Sequence, residues 1–416
     1  MDFALLSLLF LAAAIFIGFA FKKNTGVVAI ALALILSRIA GTGDKSVIAG
    51  FSSSLFVTLF GISFLFAIAQ ENRTLELLAK KIVALCGKRQ ALMPFALFLL
   101  AAVIAAIGPG PVSTSPLVAV LAVSLAVELG VEPLRLIPFG LFGAFGGGLT
   151  RLTPSGIVGL THADKIGVTN LDMPLLVCTF CSMLLYCVVL YFFVFKWHKF
   201  VPTTQKGVTN SEPFNKQQWL TLIGIGTMTC LTMFFGFNVG LAAFAVGTAL
   251  TMLGCGSESK ALKSVPVGTL IMICGVGMLI EQVLTLGGID LLSQTLSNFM
   301  SPKLAAGIMT LLGGVLSWFS SASGVVMPTL IPTVPGIAAA VGASQPAMVI
   351  GICIGAHAAA TSPLSSCGAM ALAAYSGLPQ VSEKDRSNMF AKLFYMSIGG
   401  VLFVTVLGCL GLYGIL

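Results

Sequence analysis

Hydroxyl, glycine and proline residues gather at four places in this chain, and one arginine stands among them. The stretch Gly108–Ser115 carries Ser113, Thr114 and Ser115 ahead of Pro116, and Gly146–Thr153 carries Thr150, Arg151 and Thr153 ahead of Pro154. Ser320–Gly324 offers Ser320, Ser321 and Ser323; Ala358–Ser362 offers Thr361 and Ser362, followed by Pro363 and Ser365 and preceded by His357. A hydroxyl residue before a proline reads as a helix N-cap before the first helical position, where the missing N–H costs nothing. Ser115-Pro116, Thr153-Pro154 and Ser362-Pro363 fit that signature. Met327-Pro328 fits it less well, because Pro332 and Pro335 would delay the helix. Helix N-termini present unpaired N–H donors and a positive dipole end, so several facing one dry chamber would hold an anion.

Arg151 supports the same sign. Its planar fork suits a carboxylate bidentately, and an arginine at mid-membrane costs about 2.5–3.5 kcal/mol on insertion scales. An unpaired cation at that depth calls for an anionic guest; the bland alternative is that it snorkels to a rim or meets the carbonyl ends of broken helices. The candidate substrate contacts are Ser113, Thr114, Ser115, Thr150, Arg151, Thr153, Ser321, Ser323, His357, Thr361, Ser362 and Ser365. Serine and threonine in membrane helices often only satisfy backbone carbonyls. His357 is either a protonation switch or a core histidine.

The elements that position these residues follow from composition. Of 416 residues, 57% are hydrophobic and 9% charged, against about 25% charged in a soluble domain. That leaves too little polar surface to cover a globule in water, so lipid is the solvent. Apolar stretches long enough for a hydrocarbon core of about 30 Å recur along the chain. The longest polar stretch is residues 196–218, and no soluble domain fits. Met1-Asp2-Phe3 lacks a basic leader, so the first apolar run reads as a retained span.

Comparing the chain with itself gives an internal repeat. Gly143-Ala144, Thr153-Pro154 and Gly159 in the first half match Gly355-Ala356, Ser362-Pro363 and Gly368 in the second. Upstream, Pro116 matches Pro328, and Glu71 matches Glu281 at the end of an apolar run. Each half parses as three spans (3–21, 26–41, 51–70; 218–237, 239–253, 265–281) and a short amphipathic segment (72–88; 282–300). A re-entrant hairpin (92–129; 304–342), a span broken at its middle (133–167; 345–376) and a closing span (172–196; 392–416) follow. The expected fold is all-α and polytopic, with about ten spans plus two hairpins in two inverted repeats, 1–200 and 218–416, joined by a cytoplasmic linker at 201–217. Five crossings per repeat make the second copy upside down.

Basic residues concentrate on the cytoplasmic side of membrane proteins. Threading the chain puts most of the 22 Lys and Arg on one face, with only Arg38, Lys45, Lys165 and Lys303 opposite and Arg151 inside. This predicts both termini outside, in a bacterial inner membrane. It also explains the net charge of +8 without a nucleic acid partner.

Other chemistries lack their residues. Cys178 and Cys181 form a CxxC inside a span and read as packing, with no metal spacing. No HExxH, paired intramembrane aspartates or nucleophile–base spacing points to an enzyme. A cation/proton antiporter normally needs a membrane-embedded carboxylate, and this threading places none at mid-depth.

At the tips and breaks the sequence resembles the ion transporter superfamily, and within it the divalent-anion/sodium symporter family and MatC-type malonate/C4-dicarboxylate carriers. Its most specific piece is GAHAAATSPLSSCGAMALA (355–373). The resemblance implies a homodimer, a scaffold with a mobile transport domain working as an elevator, and hairpin tips bearing a Ser-Asn-Thr signature that holds carboxylate and frames sodium. The matching stretches here, Pro111–Ser115 and Ser321–Gly324, contain no asparagine. Coupling to Na+ or to H+ stays open; sodium would sit near Gly108, Gly110, Gly148, Ser320 or Ala360, and no other cofactor is implied. Alternatively, Arg151 supplies the charge that sodium supplies elsewhere, which favours exchange or proton coupling. The expected function is secondary transport of a small carboxylate, a C3/C4 dicarboxylate. The alternative is a cation/proton antiporter or an inorganic-anion permease on the same fold.

Overall fold

The computed structural model describes residues 2–77, 81, 90–197, 213–376, 378 and 381–415, and every regular element among them is helical. The first half runs α1 (Phe3–Ala20), α2 (Thr25–Ala40), a short α3 (Asp44–Ala49) and α4 (Ser53–Glu71). A hairpin of α5 (Met93–Ala106) and α6 (Gly110–Glu128) follows, then α7 (Ile137–Gly146), α8 (Pro154–Lys165) and α9 (Asp172–Val189). The second half repeats the order with α10 (Lys216–Phe235), α11 (Val239–Met252), a short α12 (Glu258–Ser264), α13 (Val267–Thr285) and the amphipathic α14 (Gly288–Ser297). Its hairpin is α15 (Ala305–Phe319) and α16 (Ala322–Val341). Its broken helix is α17 (Gln345–Ala358) and α18 (Ser366–Ser376), and α19 (Glu383–Cys409) closes it.

Six helices among the described residues are long and apolar enough to cross a membrane. Half of the others are arms of hairpins or halves of broken helices, too short to cross alone. The amphipathic segment expected at 72–88 and the linker at 201–217 fall largely outside the described residues. Every residue of α7 is buried, as is α17 from Ala347 onward; a helix apolar on all sides belongs inside a bundle.

Contacts between the halves are reciprocal. Asn24 and Asn238 cap α2 and α11 through their side-chain oxygens. Gly26 lies against the backbone of Ile271 and Met272 in α13, while Gly240 lies against Val57 and Thr58 in α4. Gly275 meets Gly26 and Gly61 meets Gly240, all these pairs at one sequence offset. Farther along, Gly143 abuts the Phe98 backbone and Gly355 the Thr310 backbone. Phe145 and His357, 212 residues apart, touch each other edge to face.

Four expected helix starts need correction. α6 begins at Gly110 and runs through Pro116, so Ser115 is no N-cap; its Oγ donates to Pro111 O at 2.7 Å. Gly108 (φ 143°) and Gly110 (φ 70°) turn the chain earlier, and Pro111 takes the first turn, where a proline is tolerated. α18 begins at Ser366 rather than at Pro363. α16 begins at once after Ser321, whose Oγ accepts from Gly324 N at 3.1 Å. Its prolines do not delay it but divide it into π, α, 3-10 and α turns. α19 starts at Glu383, upstream of the expected 392, because the Ser382–Asp385 capping box carries its charged first turns as helix.

Candidate functional site

The first break is closed upon itself. α7 ends at Gly146, and Thr153 caps α8 by accepting from Gly156 N at 3.2 Å. Thr153 Oγ1 donates toward Gly148 O at 2.6 Å and lies 3.0 Å from Thr150 O, and Thr150 Oγ1 donates to Ala106 O at 3.0 Å. Both hydroxyls are thus spent on backbone, the outcome expected of most such groups in membrane helices. Gly148 lies under Pro111, and Gly110 faces Pro154 across 2.9 Å from where a Cβ would stand. The first hairpin tip therefore plugs the first break.

Arg151 is not a buried, unpaired cation. Its side chain is 50% exposed, its Nη1 pairs with Asp164 at 3.2 Å, and its Nε bonds Asp172. Both acids come from the end of α8 and the start of α9, which fold over the break. The arginine holds this corner together and does not reach the cavity described next.

The second break opens onto a cavity of about 650 Å³, within the usual size range for small-molecule sites. The second hairpin tip lines it with Ser320–Ser323, and the break with Ala359, Ala360, Pro363–Ser365 and Cys367. Ser317, Phe145 and Ser155 extend the lining, as do Lys22 and Thr25 at the α1–α2 turn and Met272, which packs on Gly324. The N-terminal turns of α8, α16 and α18 thus border the space through Ser155, Ser323 and Cys367, and the first N–H groups of a helix have no carbonyl of their own. Ser155, Ser317 and Ser323 are each at most 5% exposed, line the cavity and make no side-chain hydrogen bond among the described residues. Among the described residues the lining contains no aspartate or glutamate, and Lys22 is its one charged residue.

Of the candidate contacts, Ser321, Ser323 and Ser365 line this cavity, as do Ser320 and Ala360 from the candidate sodium positions. Ser365 Oγ donates to Ser362 O at 2.8 Å, and Ser362 Oγ accepts from Leu364 N at 3.3 Å. Ser113 lines a small adjoining pocket of about 30 Å³ that it shares with Ser63, Ser155, Thr269 and Ser323. Thr114 and Thr361 are buried with unpartnered Oγ1 atoms. His357 is fully buried, its Nδ1 3.0 Å from Phe145 O and its Nε2 unpartnered, and it does not line the cavity. Gly108 packs on Phe66, Gly110 on Pro154 and Gly148 on Pro111, and of these three only Gly110 lines the small adjoining pocket. Among the described residues no cluster of three or more His, Cys, Asp or Glu could hold a metal ion.

Sequence reasoning missed Lys22, Ser155 and Ser317. Ser155 and Ser317 stand just outside the stretches taken as break and tip. Lys22 was absorbed into the count of loop cations.

Residues 1–148 match the family model described as the dicarboxylate carrier protein MatC N-terminus. No curated protein sequence matches the chain significantly. The fold is similar to the crystal structure of the Alcanivorax borkumensis YdaH transporter, at TM-score 0.59 and 13% identity, over 90% of this chain and 88% of that one. The resemblance to MatC-type carriers read from the tips and breaks thus meets a family match over the first 148 residues. The chain is a multi-pass membrane protein with the fold of a transporter, and neither match is to an enzyme.

Proposed function

We propose that this chain is a secondary transporter of a small carboxylate anion, a C3/C4 dicarboxylate, held in the cavity between the second hairpin tip and the second break. One observation carries the reading. Among the described residues, three helix N-termini and three unengaged serine hydroxyls border a space whose only charged lining residue is a lysine. Donors without acceptors in a site of low dielectric favour an anion over a cation. The family match over residues 1–148 supports a dicarboxylate as the cargo.

The mechanism we propose is alternating access of the elevator type between two inverted repeats, in a homodimer in the bacterial inner membrane with both termini outside. What supports it is that the cavity is lined jointly by the α1–α2 turn and by the hairpin tip with the broken helix. Lys22 at its edge belongs to the face richest in basic residues, so the state described opens toward the cytoplasm in this reading. Whether Na+, H+ or a counter-anion drives flux is read by the same test. The purified chain in proteoliposomes is offered malonate, succinate, malate, fumarate or citrate, with and without a sodium gradient, a pH gradient or internal substrate. Saturable uptake of at least one is expected; none under any gradient would overturn the proposal.

A further inference from the structure

Lys22 differs from every other residue around the cavity in charge and in backbone. It lies in the turn from α1 to α2 with φ 52°, a left-handed conformation that L residues other than glycine, asparagine and aspartate seldom adopt. The equivalent turn from α10 to α11 has Gly236 at φ 68°, ahead of Asn238 as Lys22 is ahead of Asn24. One half of the molecule uses the residue that suits this backbone. The other half uses a lysine, and that lysine lines the cavity. Lys22 takes part in none of the ion pairs or side-chain hydrogen bonds among the described residues.

The rest of the lining offers the N-terminal turns of α8, α16 and α18 and the buried hydroxyls of Ser155, Ser317 and Ser323. These are neutral donors, each helix end acting as about half a positive charge, and together they match one carboxylate. A cargo with two carboxylates brings a second negative charge. Among the lining residues only Lys22 can neutralise it. Its position at the C-terminal end of α1 also cancels the negative dipole end there, which would otherwise repel the anion.

We infer that Lys22 is the counter-charge for the second carboxylate of the cargo and so sets the preference for two-carboxylate over one-carboxylate anions. This rests on the carboxylate reading above. The full chain is compared as wild type, Lys22→Gly and Lys22→Arg in proteoliposomes. The readouts are half-saturation for whichever dicarboxylate the wild type takes up best, competition by its monomethyl ester, and the thermal unfolding midpoint in detergent. Glycine suits the backbone, so Lys22→Gly folds at least as well as wild type. It raises half-saturation for the diacid about tenfold or more, the size of a lost charged hydrogen bond, and changes competition by the ester little. Lys22→Arg restores most of the diacid affinity. An unchanged half-saturation for the diacid, or an equal loss for diacid and ester, overturns the inference and leaves the carboxylate reading standing. A wild type that takes up no dicarboxylate overturns both.

Discussion

Thr150, Thr153 and Gly156 in the first half occupy the places that Ser362, Ser365 and Gly368 occupy in the second. In each, a hydroxyl oxygen lies within 3.0 Å of a carbonyl three residues back, Thr153 on Thr150 and Ser365 on Ser362. In each, a glycine three residues farther on presses against that same carbonyl, Gly156 on Thr150 O and Gly368 on Ser362 O. The backbone device is shared and the surroundings are not. The first break is plugged by Pro111 and roofed by Arg151 with its two aspartates, so that only Phe145 before it, Ser155 beyond it and Val112 of its hairpin tip reach the cavity, whereas residues within and on both sides of the second break line it. A repeated device thus serves as a joint in one copy and as a binding wall in the other, and only what packs against it decides which.

The largest effect expected from breaking that contrast is Ser323→Asp. A carboxylate fixed beside the α16 N-terminus would occupy the anion's place and satisfy its donors. Dicarboxylate uptake should fall about a hundredfold, from the several kcal/mol that charge-assisted bonds carry, while insertion and monodispersity persist. Next come Gly156→Ala and Gly368→Ala. A methyl group at either must push a backbone carbonyl aside, at a cost of about 1–3 kcal/mol, which a lowered thermal midpoint in detergent would report. Uptake per folded molecule should drop only for Gly368→Ala; a drop of the same size for Gly156→Ala would mean that both breaks touch the cargo. The smallest effect belongs to Arg151→Ala. Its half-exposed pairs are worth about 1 kcal/mol or less, so uptake should stay within about threefold of wild type. A collapse of uptake with folding intact would return the arginine to the site.

The sequence made the architecture readable because apolar arms flanked by Gly, Ser and Pro have few alternatives at membrane depth. The first break falls at the residues expected, between Gly146 and Pro154. The second was read three residues out of register, since matching Pro154 to Pro363 treats every proline as a first helical residue. Pro363 instead lies in the non-helical stretch before α18. Arg151 was misjudged for a related reason. Its partners stand 13 and 21 residues away, and only the fold of α8 onto α9 brings them back. Lys22 was hidden by its own neighbourhood, because a lysine beside another lysine at a helix end reads as a loop anchor. Nothing local says that it faces a cavity built largely from residues far along the chain.

The account's central claim is that cargo sits at the second break and not at the first. The most direct measurement places single cysteines at Ser323 or Thr150 in a chain whose ten native cysteines are replaced, and follows alkylation with and without the transported dicarboxylate. The account predicts that substrate slows alkylation at position 323 and leaves position 150 unchanged. Protection at position 150 with none at 323 would contradict it.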